Sequence, residues 1–379
     1  MKPIEFVDLK AQADILGDDL KLAIDKVLSH GRFIMGPEVY ELERQLSDFT
    51  GAKHVISCAS GTDALLMVLM AMGIGPGHAV FTTPFTFIAT AEVICLLGAV
   101  PVFVDIDKDT FNLDPEKFEQ AIMYFYKNPR HKDLVPKCVI PVDIFGLPAE
   151  YEAIEKIAHK HHLTVIEDAA QSLGSRSGNK MAGNFANAAA TSFFPAKPFG
   201  CYGDGGAIFT NDEGLNEKLV SIRVHGMGKH KYDNIRIGIN GRLDTLQAAI
   251  LIQKLKIFRS ELNKREAVAL KYRENLEGIV QFQKIPQNCM SSWAQFSFLT
   301  KDRNTVIAKL ESQKISTAIY YPKPLHLQDA FMILGYKKGD FPVAEMVSQK
   351  ILSIPMHPYL SDKEIEYITD SIRLALGAE

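Results

Sequence analysis

The chain has 379 residues, 47% of them hydrophobic, with 42 Lys plus Arg against 45 Asp plus Glu and a formal net charge of -3. That length and apolar content suit a folded protein of two units with a substantial core, and the balanced charge gives no basic excess that would make nucleic acid the main partner. Cys58, Cys95, Cys138, Cys201 and Cys289 are odd in number, scattered and without C-x-x-C spacing, which indicates neither a disulfide framework nor a zinc site and suits a reducing cytoplasm.

The opening Met-Lys-Pro-Ile-Glu-Phe-Val-Asp lacks the apolar core of a secretory signal, and the apolar run 64–73 is too short to span a bilayer, so no membrane is expected. Strands are predicted over 55–58, 79–82, 100–105, 138–142, 164–167, 190–193 and 207–210, with helices over 63–72, 89–97 and 151–161 between several of them. Such alternation predicts an α/β unit: a mostly parallel, seven-stranded sheet with helices on both faces. From 243 to 276 the residues Leu246, Ala249, Ile250, Leu255 and Phe258 follow helical spacing and predict a long helix leading into a smaller C-terminal α+β unit. The division is expected near residue 255, with a large unit over 1–255 and a small one over 256–379. The first residues have the option of packing on the small unit. The polar, proline-containing stretch 124–137 reads as a surface loop.

Chemistry concentrates in Thr191-Ser-Phe-Phe-Pro-Ala-Lys-Pro-Phe-Gly-Cys-Tyr-Gly-Asp-Gly-Gly206. Lys197 stands between Pro195 and Pro198 with four glycines following, a setting that cannot be regular helix or sheet and that presents the side chain rather than packing it. A presented lysine whose surroundings lower its pKa can form a Schiff base with a carbonyl or with pyridoxal phosphate; an arbitrary turn lysine is more often simply solvated. Asp168 ends the β-branched run 163–168, where an open α/β sheet places functional groups. A carboxylate there can hold a pyridine nitrogen protonated, or can cap a helix beginning at Ala169. Ser60-Gly-Thr-Asp63 carries the chain from a strand into an apolar helix, so free amides and the helix dipole point out of the turn, as a phosphate site or as ordinary capping. Ser192 offers a further hydroxyl five residues before Lys197.

Together these segments resemble the DegT/StrS-type sugar aminotransferases, fold type I pyridoxal-phosphate enzymes acting on nucleotide-linked keto sugars. The ordered matches span nearly the whole chain: Phe6-Val-Asp-Leu9, Gly36-Pro-Glu38, Ser60-Gly-Thr-Asp63-Ala-Leu65, Thr83-Pro-Phe-Thr-Phe87, Val104-Asp-Ile106, Glu167-Asp-Ala-Ala-Gln171, the Lys197 segment, His225-Gly226, Asn240-Gly-Arg-Leu-Asp244, Tyr321-Pro-Lys-Pro-Leu-His326 and Pro355-Met-His-Pro-Tyr359. The resemblance implies that Lys197 joins the cofactor and later shuttles protons, and that Asp168 pairs with the pyridine nitrogen. Phe87 stacks on the ring, Gln171 lies near its opposite side, and Gly61, Thr62 and Ser192 bind the phosphate. It also implies a homodimer with shared active sites, Asn240 reaching the phosphate of the neighbouring subunit, while Arg242, Tyr320, Tyr321 and His326 lie near the sugar nucleotide. Tyr320 departs from the family pattern, since many relatives carry His there.

Within the family, the Lys197 segment and Gly238-Ile-Asn-Gly-Arg-Leu-Asp-Thr-Leu-Gln-Ala-Ala249 look most like the branch that aminates the 3-keto group of UDP-2-acetamido-2-deoxy-3-oxo-glucuronate. L-glutamate is then the amino donor, and bacterial surface polysaccharide (lipopolysaccharide O-antigen) the destination. The alternatives are another 3-keto or 4-keto nucleotide sugar, a cofactor-dependent dehydration, or a non-catalytic regulatory protein on the same fold. Dehydrating relatives replace the lysine by His, so Lys197 favours transamination. The stretch 124–137 is longer than is typical of relatives.

Overall fold

The computed structural model describes residues 2–378. Seven strands, β1 (His54–Cys58), β2 (His78–Thr82), β3 (Val100–Phe103), β4 (Val135–Ile140), β5 (Thr164–Asp168), β6 (Ala188–Ser192) and β7 (Gly206–Thr210), form one sheet in the order β1-β7-β6-β5-β4-β2-β3. Neighbours from β6 to β3 pair in parallel, and β7 runs antiparallel to both β6 and β1. This is the expected mostly parallel sheet, with each strand within three residues of its predicted start and end.

Alternate residues of the central strands bury on opposite faces. After α1 (Leu9–His30) and α2 (Pro37–Thr50), Val80, Ile140 and Ile166 join the core under α3 (Gly61–Ala71) and α4 (Ala89–Leu96), whereas Phe81, Val139 and Val165 join the one under α5 (Pro115–Lys127) and α6 (Tyr151–Lys160). Both faces are covered, so the strands read as continuous apolar runs. Each such side chain contributes about 1.5–3 kcal/mol by leaving water. Six of the seven strands therefore point their C-terminal ends to one side, where α/β sheets carry their sites.

The stretch 124–137 departs from a plain loop. Phe118, Ile122 and Phe125 are buried at spacings of four and three, which carries α5 on to Lys127; Asn128 then caps a short turn over Pro129–His131 before β4.

The helix Thr245–Asn275 is unbroken over 31 residues, with residue 255 in its interior. Its second half supplies Ala269 and Tyr272 to a separate core that also holds Phe298, Val306, Leu352 and Ile368. Around this core stands a three-stranded antiparallel sheet of Gln281–Phe282, Phe296–Leu299 and Ile351–Ile354. The N-terminal segment lies on this unit: Ile4 pairs with Ile315, and the Phe6 carbonyl accepts from the Met356 amide at 3.2 Å. Among the described residues, no helix is long and apolar enough to cross a membrane.

Candidate active site

At the C-terminal end of β1 the chain turns through Ala59-Ser60 into α3. The Ser60 hydroxyl accepts from the Asp63 amide at 3.0 Å, while the amides of Gly61 and Thr62, first in the helix, have no intrahelical partner. No side chain fits at position 61, since a methyl there would stand 2.7 Å from the Cβ of Ser192, and one on Gly206 would stand 2.5 Å from the Ser60 carbonyl. Ser192 closes β6, and its Oγ accepts from the Phe194 amide at 3.2 Å. The result is a tight turn of free amides and hydroxyls at the positive end of an 11-residue helix, which is an anion cradle.

Asp168 closes β5, two strand positions short of the level of Ser192, and is only 4% exposed. Its oxygens accept from Thr90 Oγ1 at 2.8 Å and from the Ala170 amide at 3.2 Å. No helix begins at Ala169, so the capping alternative falls away. Burial pushes the carboxyl above its usual range, opposed by those two hydrogen bonds and by the Lys197 charge. Lys197 sits on a turn closed by its own amide on the Phe194 carbonyl at 2.9 Å. It is shielded rather than freely presented. Burial brings its amine down to about 8, against the pull of Asp168, so a sizeable neutral fraction exists near neutrality.

Two more buried acids stand behind Asp168. Asp143 accepts from the Ala149 amide at 2.8 Å, Tyr151 OH at 2.8 Å and Ser172 Oγ at 2.6 Å, and its amide donates to the Asp168 carbonyl at 3.1 Å. Glu167 accepts from the Gly183 and Phe185 amides. Burial raises both: Asp143 against its three hydrogen bonds and with the Asp168 charge adding a little, Glu167 with the Asp143 charge adding to it. The donors spent on them fix the β5 end in place.

Gln171 bridges to the far wall: its Oε1 accepts from the Phe145 amide at 2.6 Å and its Nε2 donates to Tyr321 OH at 3.2 Å. The Tyr321 ring lies 6.4 Å from that of Phe87, which is 57% exposed at the opening, and 5.7 Å from that of Tyr320. Tyr320 is half-buried, with the Phe6 ring 6.0 Å away. The fold thus gathers Gly61, Thr62, Phe87, Asp168, Gln171, Ser192, Lys197, Tyr320 and Tyr321 in one region.

Asn240 and Arg242 lie beside the entry to the Ser60 turn, and His326 is enclosed away from it. Asn240 is exposed, on a strand-like stretch whose next residue, Gly241, accepts from the Ala59 amide at 3.1 Å. Arg242 is half-buried, and its Nε is buried with no hydrogen-bond partner among the described residues. His326 is enclosed: it is 1% exposed, its Nε2 lies 3.0 Å from Glu345 Oε1, and its ring packs edge-on against Phe341 at 4.7 Å. The Pro84 carbonyl, accepting from the Leu325 amide at 2.8 Å, holds that turn inward, and the imidazole braces the 325–345 segment.

Thr90, one turn beyond Phe87 and bonded to Asp168, escaped the sequence reading; a hydroxyl on the site side of a short helix was its only signal. A cavity of about 400 Å³ lies elsewhere, along the open edge of β3 beside Tyr124, Arg130 and Tyr336. That edge is blunted by Pro101, which has no amide hydrogen, and by Tyr336 OH accepting from the Phe103 amide. It holds none of the chemistry gathered around Lys197.

The donor set fits pyridoxal phosphate. Free amides and hydroxyls suit the phosphate, a buried carboxylate suits a protonated pyridine nitrogen, and an amine of depressed pKa suits the aldehyde. The model of the DegT/DnrJ/EryC1/StrS aminotransferase family matches residues 14–373. The chain is 47% identical over 366 residues to the UDP-2-acetamido-2-deoxy-3-oxo-D-glucuronate aminotransferase of Pseudomonas aeruginosa, covering 96% of this chain and 98% of that one. A DegT DnrJ EryC1 StrS aminotransferase from Brucella abortus superposes with a TM-score of 0.95 at 50% identity, over 99% of this chain and 100% of the other. NtdA from Bacillus subtilis, with bound cofactor PMP, superposes with a TM-score of 0.90 at 28% identity, over 100% of this chain and 86% of the other. The chain belongs to the DegT/DnrJ/EryC1/StrS family of pyridoxal-phosphate-dependent sugar aminotransferases.

Proposed function

We propose that this aminotransferase moves the amino group of L-glutamate onto C3 of UDP-2-acetamido-2-deoxy-3-oxo-glucuronate, in the cytoplasm, for a bacterial surface polysaccharide such as the lipopolysaccharide O-antigen. The observation that carries the transamination is the Lys197 amine, lowered by burial and within the electrostatic reach of the buried Asp168 carboxylate, beside the Gly61–Ser192 cradle. The likeness to the Pseudomonas enzyme supports the acceptor.

When bound, pyridoxal phosphate supplies an aldehyde carbon and a pyridinium ring that spreads the charge left as a proton departs the carbon beside nitrogen. The chain's own residues do the rest. Asp168, kept in place by Thr90 and the Ala170 amide, holds the proton on the pyridine nitrogen. Gly61, Thr62 and Ser192 would hold the phosphate, and Phe87 and Gln171 would flank the ring. Once free, the Lys197 Nζ would take the proton from the α-carbon of L-glutamate and deliver it to the carbon on the far side of the transferred nitrogen, and with the keto sugar the same amine would move a proton the opposite way. One lysine would serve both directions, because a loop closed by the Lys197 amide on the Phe194 carbonyl keeps its amine in one small region.

Arg242, with its unpartnered Nε, is the cation we assign to the acceptor's anionic groups, together with the Tyr320 and Tyr321 hydroxyls. A homodimer completes the site, with Asn240 reaching the partner subunit's phosphate. Exposed Tyr232, Ile235 and Ile237, on the stretch leading to Asn240, support a covering second copy.

Visible absorbance of the cofactor-loaded protein tests this reading. L-glutamate should abolish the band of lysine-bound cofactor, and the 3-keto sugar should restore it. Loss without return rejects this acceptor; a chain that shows no band rejects the assignment of Lys197.

A further inference from the structure

Lys254 is 1% exposed in the interior of the helix Thr245–Asn275, and no acid pairs with it at salt-bridge distance among the described residues. A buried ammonium offset only by the Glu261 charge beyond salt-bridge distance is costly, so what it touches matters. Its Nζ donates to the Gly200 carbonyl at 2.6 Å and stands 3.9 Å from the centroid of the Tyr202 ring. Both belong to the loop that carries Lys197. Seven residues back, on the same face of the helix, Gln247 grips the next part of that loop: its Oε1 accepts from the Tyr202 amide at 2.9 Å and its Nε2 donates to the Tyr202 carbonyl at 3.3 Å. On the loop's other side, the Cys201 amide closes on the Phe193 carbonyl at 2.7 Å. Gly200 has no room for a side chain, since a methyl would stand 2.4 Å from the Phe194 carbonyl oxygen, the same oxygen that accepts from the Lys197 amide. The Gly200 and Lys197 turns are therefore in direct contact.

We infer that Lys254 is a positioning residue for this reaction: its ammonium, with Gln247, clamps the loop at Gly200 and Tyr202 so that Lys197 is held in one place. The clamp acts through the backbone, three residues beyond Lys197, and it touches neither cofactor nor sugar. It rests on the role proposed above for Lys197. Burial also brings the Lys254 amine down, to about 8, which is the cost expected of a charge retained for its contacts.

The test measures how fast cofactor-free protein captures pyridoxal phosphate. In that step the Lys197 amine attacks the aldehyde, a C=N bond forms, and one water leaves. Lys254→Met should keep the fold and the affinity for the phosphate end, yet slow capture roughly ten- to hundredfold, the range for losing a charge-assisted hydrogen bond. Hydrogen exchange at the amides of residues 197–203 should quicken in the same variant, and Lys254→Arg should recover part of the capture rate. Wild-type capture and exchange in folded Lys254→Met overturns the inference. If Lys254→Met does not fold, Gln247→Met carries the test by the same two readouts, and unchanged values there overturn it equally. Parent protein that captures no cofactor refutes the Lys197 assignment instead.

Discussion

Asp168→Asn separates charge from shape at the centre of the site. The amide is isosteric: Oδ1 can still accept from the Ala170 amide, and Nδ2 can donate to a Thr90 hydroxyl that turns around, so the two contacts at 3.2 and 2.8 Å survive. What disappears is a negative charge that is 4% exposed. Losing one partner of a buried ion pair costs about 3–5 kcal/mol, or roughly 10²–10⁴-fold in turnover. The fold should respond in the opposite sense. Burial raises the folded-state pKa of Asp168 above its unfolded value, so the carboxylate costs stability as pH climbs from the unfolded value through the folded one, and the amide carries no such cost. Cofactor-free Asp168→Asn should therefore melt no lower than the parent at pH 7, while transamination with L-glutamate at matched cofactor occupancy falls by at least a hundredfold, the lower end of that range. A variant turning over within tenfold of the parent would refute the assignment of Asp168 to the pyridine nitrogen.

Capture of pyridoxal phosphate by cofactor-free protein should speed up about tenfold per pH unit below the Lys197 midpoint and level off above about 8, because only the neutral amine attacks. Asp168→Asn should move that midpoint lower, since it removes the one charge raising it; stopped-flow absorbance from pH 6 to 10 reads both, and an unchanged midpoint would contradict the influence of Asp168 on the amine. Gly61→Ala must displace Ser192, whose Cβ would lie 2.7 Å away, so cofactor affinity should fall while Lys197 and Asp168 stay in place. A fluorescence titration should show a loss of roughly ten- to hundredfold, about 1–3 kcal/mol of overpacking, and unchanged affinity would remove the phosphate from this turn. If Asn240 serves the partner's site, mixing inactive Lys197→Ala and Asn240→Ala proteins should restore up to about a quarter of parental activity, since half of random dimers are hybrids with one intact site. No recovery from demonstrably exchanged subunits would return Asn240 to its own protomer.

The sheet was legible because its strands are buried on both faces and hence apolar throughout; 55–58, 164–167 and 207–210 stand out with no help from neighbours. Their ends were less legible. β4 starts at Val135, three residues before the expected start, on residues whose sequence looks like loop. The stretch 124–127 reads as polar, yet Phe125 belongs to an i, i+4, i+7 series with Phe118 and Ile122 that continues α5 through it. Local composition suggested a loop, and the tertiary burial of three side chains decided for helix.

The site divides along a similar line. Lys197, Asp168 and the Ser60-Gly61-Thr62 turn were legible because each is a local anomaly: a lysine between prolines, an acid ending an apolar strand, a glycine at a helix start. Residues defined by what they touch far along the chain were not. His326 has the right motif, but its meaning is set by Glu345 and Phe341, which enclose it. Thr90 and Lys254 carry no motif, yet one fixes the carboxylate and the other grips the lysine loop 54 residues away. Chemistry that must be exposed to a ligand leaves a mark in the local sequence, because that exposure needs unusual backbone. The supports behind it are ordinary residues on ordinary helices, and only the fold distinguishes Lys254 from any other lysine.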